Sequence, residues 1–152
     1  MDSVREFQAR MQSMMDAEGL PYGKRTMTWN SRLAQELGAW ADTQAGTQAG
    51  GSAIHDILFK AYFVDNRNIG DIDVLADLAA AADLDPDRAR EILGNGEFAP
   101  QVDADWERAR ELGLTGVPSY VHDDLCVVGC QPIEVLMRFV THLRKLRDED
   151  PA

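Results

Sequence analysis

Apolar residues recur with a helical period along most of this chain, and change to a strand-like pattern only near its end. Val4, Phe7, Met11, Met14 and Met15 share one face of a segment from about Ser3 to Ala17, which predicts a first helix ended by Gly19, Pro21 and Gly23. The periodicity favours a core-facing stripe there over a pliable methionine surface for a partner. Leu33, Leu37 and Trp40 predict a second helix, starting at Asn30 or Ser31 and fading near Thr43. A third, over about Ser52 to Val64, carries Ile54, Ile57, Leu58, Ala61, Tyr62 and Phe63 round much of its circumference, as expected of a helix buried on several sides. Asp71 caps a fourth helix holding Val74, Leu75, Leu78, Ala79 and Ala82. Asp85, followed by proline, caps a short fifth that stops at Gly94. A sixth, from about Pro100 to Leu112, turns Val102, Trp106, Ala109 and Leu112 inward and ends at Gly113.

Two short β-type runs follow, Ser119–His122 and Leu125–Val128, joined by Asp123-Asp124 as a hairpin. The last helix starts at Pro132, with Val135, Leu136, Phe139, Val140 and Leu143 on its inner face. The pattern is mainly α with one β-hairpin. A lone hairpin is marginal in water and its edges invite another strand, so either helices cover it or further strands complete it.

Composition changes this picture little, and charge narrows it. The 152 residues carry a formal charge of −11. That balance argues against nucleic acid or an anionic membrane as the main partner, because both select a basic patch. No secretory signal and no membrane span is visible, which predicts a cytoplasmic protein with reduced thiols. Residues 148–152 read as a solvated acidic tail. The short repeat Thr43-Gln44-Ala45-Gly46, Thr47-Gln48-Ala49-Gly50 reads as a local duplication in a tolerant loop.

Candidate chemistry is sparse. Cys126 and Cys130 are the two cysteines. Four residues along an extended strand span roughly 13 Å, beyond the roughly 7 Å Cα separation that a disulfide tolerates. They could meet only if the chain turned sharply at Gly129, so they are expected to be small packing side chains rather than a redox pair. His55, His122 and His142 lie in different elements without zinc-ligand spacing, and no nucleotide-binding glycine motif or nucleophile elbow is present. One segment stands out, Thr115-Gly116-Val117-Pro118-Ser119. A proline entering a strand after Gly-Val suits a cis peptide bond. Such a bend leaves the Val117 backbone open to pair with an extended peptide.

The order of these features resembles the DsbA-like branch of the thioredoxin superfamily. It is most similar to the FrnE-like group, related to the 2-hydroxychromene-2-carboxylate isomerases. Asn30-Ser31-Arg32-Leu33-Ala34-Gln35-Glu36-Leu37, the block Leu58-Phe59-Lys60-Ala61-Tyr62-Phe63, Thr115-Gly116-Val117-Pro118 and Gly129-Cys130-Gln131-Pro132 carry the resemblance over about residues 4–146.

The resemblance implies a partial thioredoxin-like fold of DsbA type with an inserted helical domain. The helical domain would span 3–113 and the closing thioredoxin segment 114–147. It also implies Pro118 as the cis-proline and Val117 as the residue whose backbone binds a thiol- or disulfide-bearing peptide or protein. The family activity is dithiol–disulfide exchange. Here the family's strand–Cys-x-x-Cys–helix block has no counterpart, so the chain is expected to be N-terminally truncated and inactive alone. Cys130 falls where the family has a small residue, again a packing role.

Two further readings stay open: a strand-pairing module, as a homodimer or with a missing N-terminal half, and the isomerase branch, which uses glutathione. No other cofactor and no metal is expected.

Overall fold

The computed structural model describes residues 2–24, 27–44 and 52–149, with the side chains of 2–5, 52 and 149 left aside. It divides into two compact units, Met1–Asp103 and Ala104–Ala152, so the division falls inside the sixth helix rather than after Gly113. The first unit holds α1 (Asp2–Ala17), α2 (Arg32–Thr43), α3 (Ser52–Phe63), α4 (Ile72–Ala81), α5 (Pro86–Asn95) and the start of α6 (Ala99–Glu111). The second holds the rest of α6, β1 (Ser119–His122), β2 (Leu125–Val128) and α7 (Ile133–Glu149). From Ala45 onward the Thr-Gln-Ala-Gly repeat lies outside the described residues.

The core belongs to the first unit. Helix α2 packs against α3, α4 and α5. Its Leu37 is fully buried, as are Ile54 of α3, Leu75 of α4 and Ile92 of α5. Alanines at 41, 61, 79 and 89 complete the contacts, and their small side chains let the helices approach closely. The two aspartate caps act as the sequence suggests, whereas Ser31, at the N-cap of α2, makes no side-chain capping hydrogen bond. The Asp71 carboxylate accepts from the Asp73 and Val74 amides at 3.0 and 3.2 Å, and Asp85 accepts from Asp87 and Arg88 at 2.9 and 3.2 Å. Each such cap stabilises its helix by about 1 kcal/mol.

A buried charge ties α2 to α6. The Glu36 side chain is almost fully enclosed and accepts from Arg32 Nε at 2.9 Å. Arg32 also donates to Asp103 Oδ1 at 2.6 Å and to the Ala99 carbonyl at 3.0 Å. The bonds to Asp103 and then to Glu36 hold the guanidinium above its ordinary range, so it stays charged.

Several expectations need correction. Helix α5 runs through Gly94 to Asn95 and is closed by Gly96, which takes the left-handed conformation (φ 63°), whereas Gly94 is helical. The stripe on α1 is not core: Phe7 is exposed, and Met11, Met14 and Met15 are half-buried. Periodicity identifies an apolar face and not what covers it. Helix α3 buries only Ile54, Leu58 and Ala61, while Phe59, on the far side, is 62% exposed. On α6 Val102 is buried, but Trp106 and Leu112 are exposed, because only the first turn of this helix belongs to the packed unit.

In the second unit the strands form a two-stranded antiparallel sheet in which Ser119 faces Val128 and His122 faces Leu125. The Asp-Asp turn works because Asp123 adopts a left-handed φ of 50°, which a short polar side chain tolerates. On α7, Val135, Leu136, Phe139 and Leu143 are half-buried and Val140 is exposed, so none of the expected inner face is buried. Among its described residues this unit has no fully buried side chain. Helix α7 continues through Asp148 to Glu149, which makes the start of the acidic end helical rather than frayed. Residues 150–152 lie outside the described residues.

Candidate functional site

Helix α6 ends on Gly113, and the Leu114 amide returns to the Ala109 carbonyl at 3.0 Å. The chain then crosses Thr115 and Gly116 to Val117. The Val117–Pro118 peptide bond is cis. Three contacts hold the loop. Ser119 Oγ donates to the Gly116 carbonyl at 2.5 Å. The Gly129 amide donates to the Pro118 carbonyl at 2.7 Å. Gly116 lies against the end of β2, where an added Cβ would stand 3.5 Å from Val128 Cγ1. The proline carbonyl thus extends the ladder by one bond beyond β2. Val117, at the bend, is left 92% exposed.

The structure therefore brings Val117, Pro118 and Gly129 together at one end of the hairpin. The Ser119 clasp and the closure from Gly129 to Pro118 were not read from the sequence. A serine three residues after a glycine, directly behind a proline, was the available signal.

The thiols are placed differently. Cys126 is in the middle of β2, opposite Val121, and Cys130 stands just past Gly129. Both are free and exposed. This corrects the packing role expected for them: Cys126 shares a sheet face with Val121 and Val128, both of which are themselves exposed. Among the described residues no group of three or more His, Cys, Asp or Glu is arranged to hold a metal ion. His122 Nδ1 lies 3.2 Å from its neighbour Asp123, and His55 Nε2 lies 3.0 Å from Asp42 across α2 and α3. The second pair was invisible in the sequence because a loop separates its members.

The described residues thus combine helices, a hairpin entered through a cis X-Pro bond and a long closing helix. The comparisons supply the class. The family model described as DSBA-like thioredoxin domain matches residues 2–141, and the chain belongs to that family. Among solved structures, it is similar to 2-hydroxychromene-2-carboxylate isomerase (HCCA isomerase), with a TM-score of 0.75 and 17% identity over 96% of this chain and 68% of that one. At that identity the likeness shows the fold alone. No curated protein matches this chain. Among the described residues no helix is long and apolar enough to cross a membrane.

Proposed function

We propose that this chain binds an extended thiol- or disulfide-bearing polypeptide through the backbone at Val117–Pro118, and that the 152-residue chain by itself does not catalyse dithiol–disulfide exchange. The exposure of Val117 at the mouth of the hairpin carries the reading. Its main chain leads directly into β1, so an incoming strand can continue the same hydrogen-bonding direction. Membership of the DSBA-like family supports a thiol-linked substrate. The cysteines support inactivity in isolation: they are spaced Cys-x3-Cys, and neither lies in the first turn of a helix, where a thiolate is stabilised.

The test has two parts. A blocked peptide of alternating valine and threonine, with one mixed-disulfide cysteine, is titrated against labelled chain. Amide shifts are expected to concentrate at residues 116–121, and their absence there would remove the binding reading. In a disulfide-exchange assay the chain is expected to match free cysteine at equal thiol concentration. A faster rate, abolished by Cys126→Ser or Cys130→Ser, would overturn the inactivity. A glutathione titration serves as a further arm, since saturable binding would move the reading to the isomerase branch.

A second reading has its own observation. Among the described residues neither outer edge of the β1–β2 sheet is paired with a strand. An edge of this kind accepts a strand from another polypeptide, including a second copy of the chain. Light scattering decides it, and a stable monomer at every concentration would eliminate it.

A further inference from the structure

The first unit contains a half-enclosed pocket of about 550 Å³ lined by α2 and α3, with Trp29 and Ile69 also on its wall. This volume falls in the usual range for small-molecule sites, which are largely apolar with a few placed polar groups. The pocket has that make-up. Trp29, Phe59, Tyr62 and Phe63 supply aromatic walls. The rings are mutually braced: Tyr62 meets Phe63 edge-on at 4.8 Å, and Phe59 lies 6.3 Å from Phe63. The exposure of Phe59, unexpected for a residue in so apolar a helix, is accounted for by its place on this wall.

The polar end is equally built. His55 and Asp42 line the pocket together, 3.0 Å apart. The imidazole rests on the backbone of α2 at Gly38, where an added Cβ would come within 2.9 Å of the ring. The absence of a side chain at Gly38 therefore makes room for the histidine. Among the described lining residues Asp42 is the sole carboxylate, and there is no lysine or arginine. The chain as a whole carries −11. A site of aromatic walls with one carboxylate at its rim selects a flat cation and disfavours an anion.

We propose that this pocket binds a compact aromatic amine of two or three fused rings, with its cationic group beside Asp42. The aromatic walls take the rings, and the carboxylate, oriented by His55, takes the charge. The proposal does not depend on the reading of the Val117–Pro118 loop.

Two probes of the same shape test it on the full chain: 9-aminoacridine, a cation at neutral pH, and acridine-9-carboxylate, an anion. Binding is followed by probe fluorescence polarisation. Saturable one-to-one binding of 9-aminoacridine is expected, with the anion much weaker. Asp42→Asn is expected to weaken the cation about three- to tenfold, the range for a partly screened charge contact. Asp42 is half-exposed, so this variant keeps the fold. Ala39→Phe, which fills the pocket from its half-exposed rim, is expected to abolish binding while the helical circular dichroism is kept. The proposal is overturned if 9-aminoacridine fails to saturate, if the two probes bind equally, or if Asp42→Asn leaves the cation's affinity unchanged.

Discussion

Replacing Leu37 by alanine is expected to lower the unfolding free energy by about 3 kcal/mol, within the range for a leucine truncated in a packed core. Leu37 is fully buried on the helix that packs against α3, α4 and α5. Its loss opens a cavity bordered by three helices, each already close-packed through alanines, so the walls have little freedom to collapse inward. The transfer cost of the lost methyl groups and the cavity cost therefore add. Urea unfolding followed by circular dichroism measures the effect. Ile133→Ala on α7, at an exposed position, serves as the control and should stay within about 0.5 kcal/mol of the parent. If the two variants were equally destabilised, the core would not be where the packing places it.

Gly23→Ala is the second large effect. The Gly23 amide donates to the Phe63 carbonyl at 2.8 Å, which fixes the chain after α1 against the end of α3. A Cβ at this position would lie 2.0 Å from the Val64 carbonyl oxygen and 2.8 Å from its carbon. Those are main-chain atoms and cannot swing aside as a side chain would. Either the segment detaches and loses its hydrogen bond or the end of α3 shifts, for a cost of about 1–3 kcal/mol. Gly94→Ala makes the opposite case. Its added methyl meets nothing within 4 Å and the residue is helical, so stability should hold or rise by up to about 1 kcal/mol. A Gly23→Ala chain that melts with its parent would show that the linker is not seated on α3.

How much of this was legible in the sequence follows from what each signal measures. Asp71 and Asp85 could be read as caps because capping is local chemistry, complete within four residues. The hairpin could be read because the period changes from 3.6 to 2 between Gly113 and Ser119. The ordered motifs from Asn30 to Pro132 pointed to the DsbA-like branch, and the match over residues 2–141 establishes that family. Burial was read less well. Phe7, Trp106 and Leu112 sit at helical spacing with their neighbours, yet all are exposed. Spacing defines a face, while burial depends on what the rest of the chain brings to it. Cys126 and Cys130 failed for the same reason.

At the candidate site, Val117 and Pro118 could be found because Gly-Val-Pro before a strand constrains the backbone locally. The Gly129 closure joins the two ends of the hairpin, and the Asp42–His55 pair joins two helices. Neither leaves a trace in any short window of sequence.

Among the described residues the hairpin edges carry no further strand, and if they pair between copies the charge of the chain sets the conditions. Edge pairing acts over hydrogen-bond distances, while the repulsion between two chains of charge −11 reaches about one screening length, roughly 10 Å at 0.1 M salt and 30 Å at 0.01 M. In dilute buffer the repulsion keeps two edges apart before their main chains can meet. Added salt shortens its reach and leaves the edges as adhesive as before. Under the strand-pairing reading, ionic strength is expected to act as a kinetic gate on self-association, with the net charge of −11 opposing the approach of a second copy.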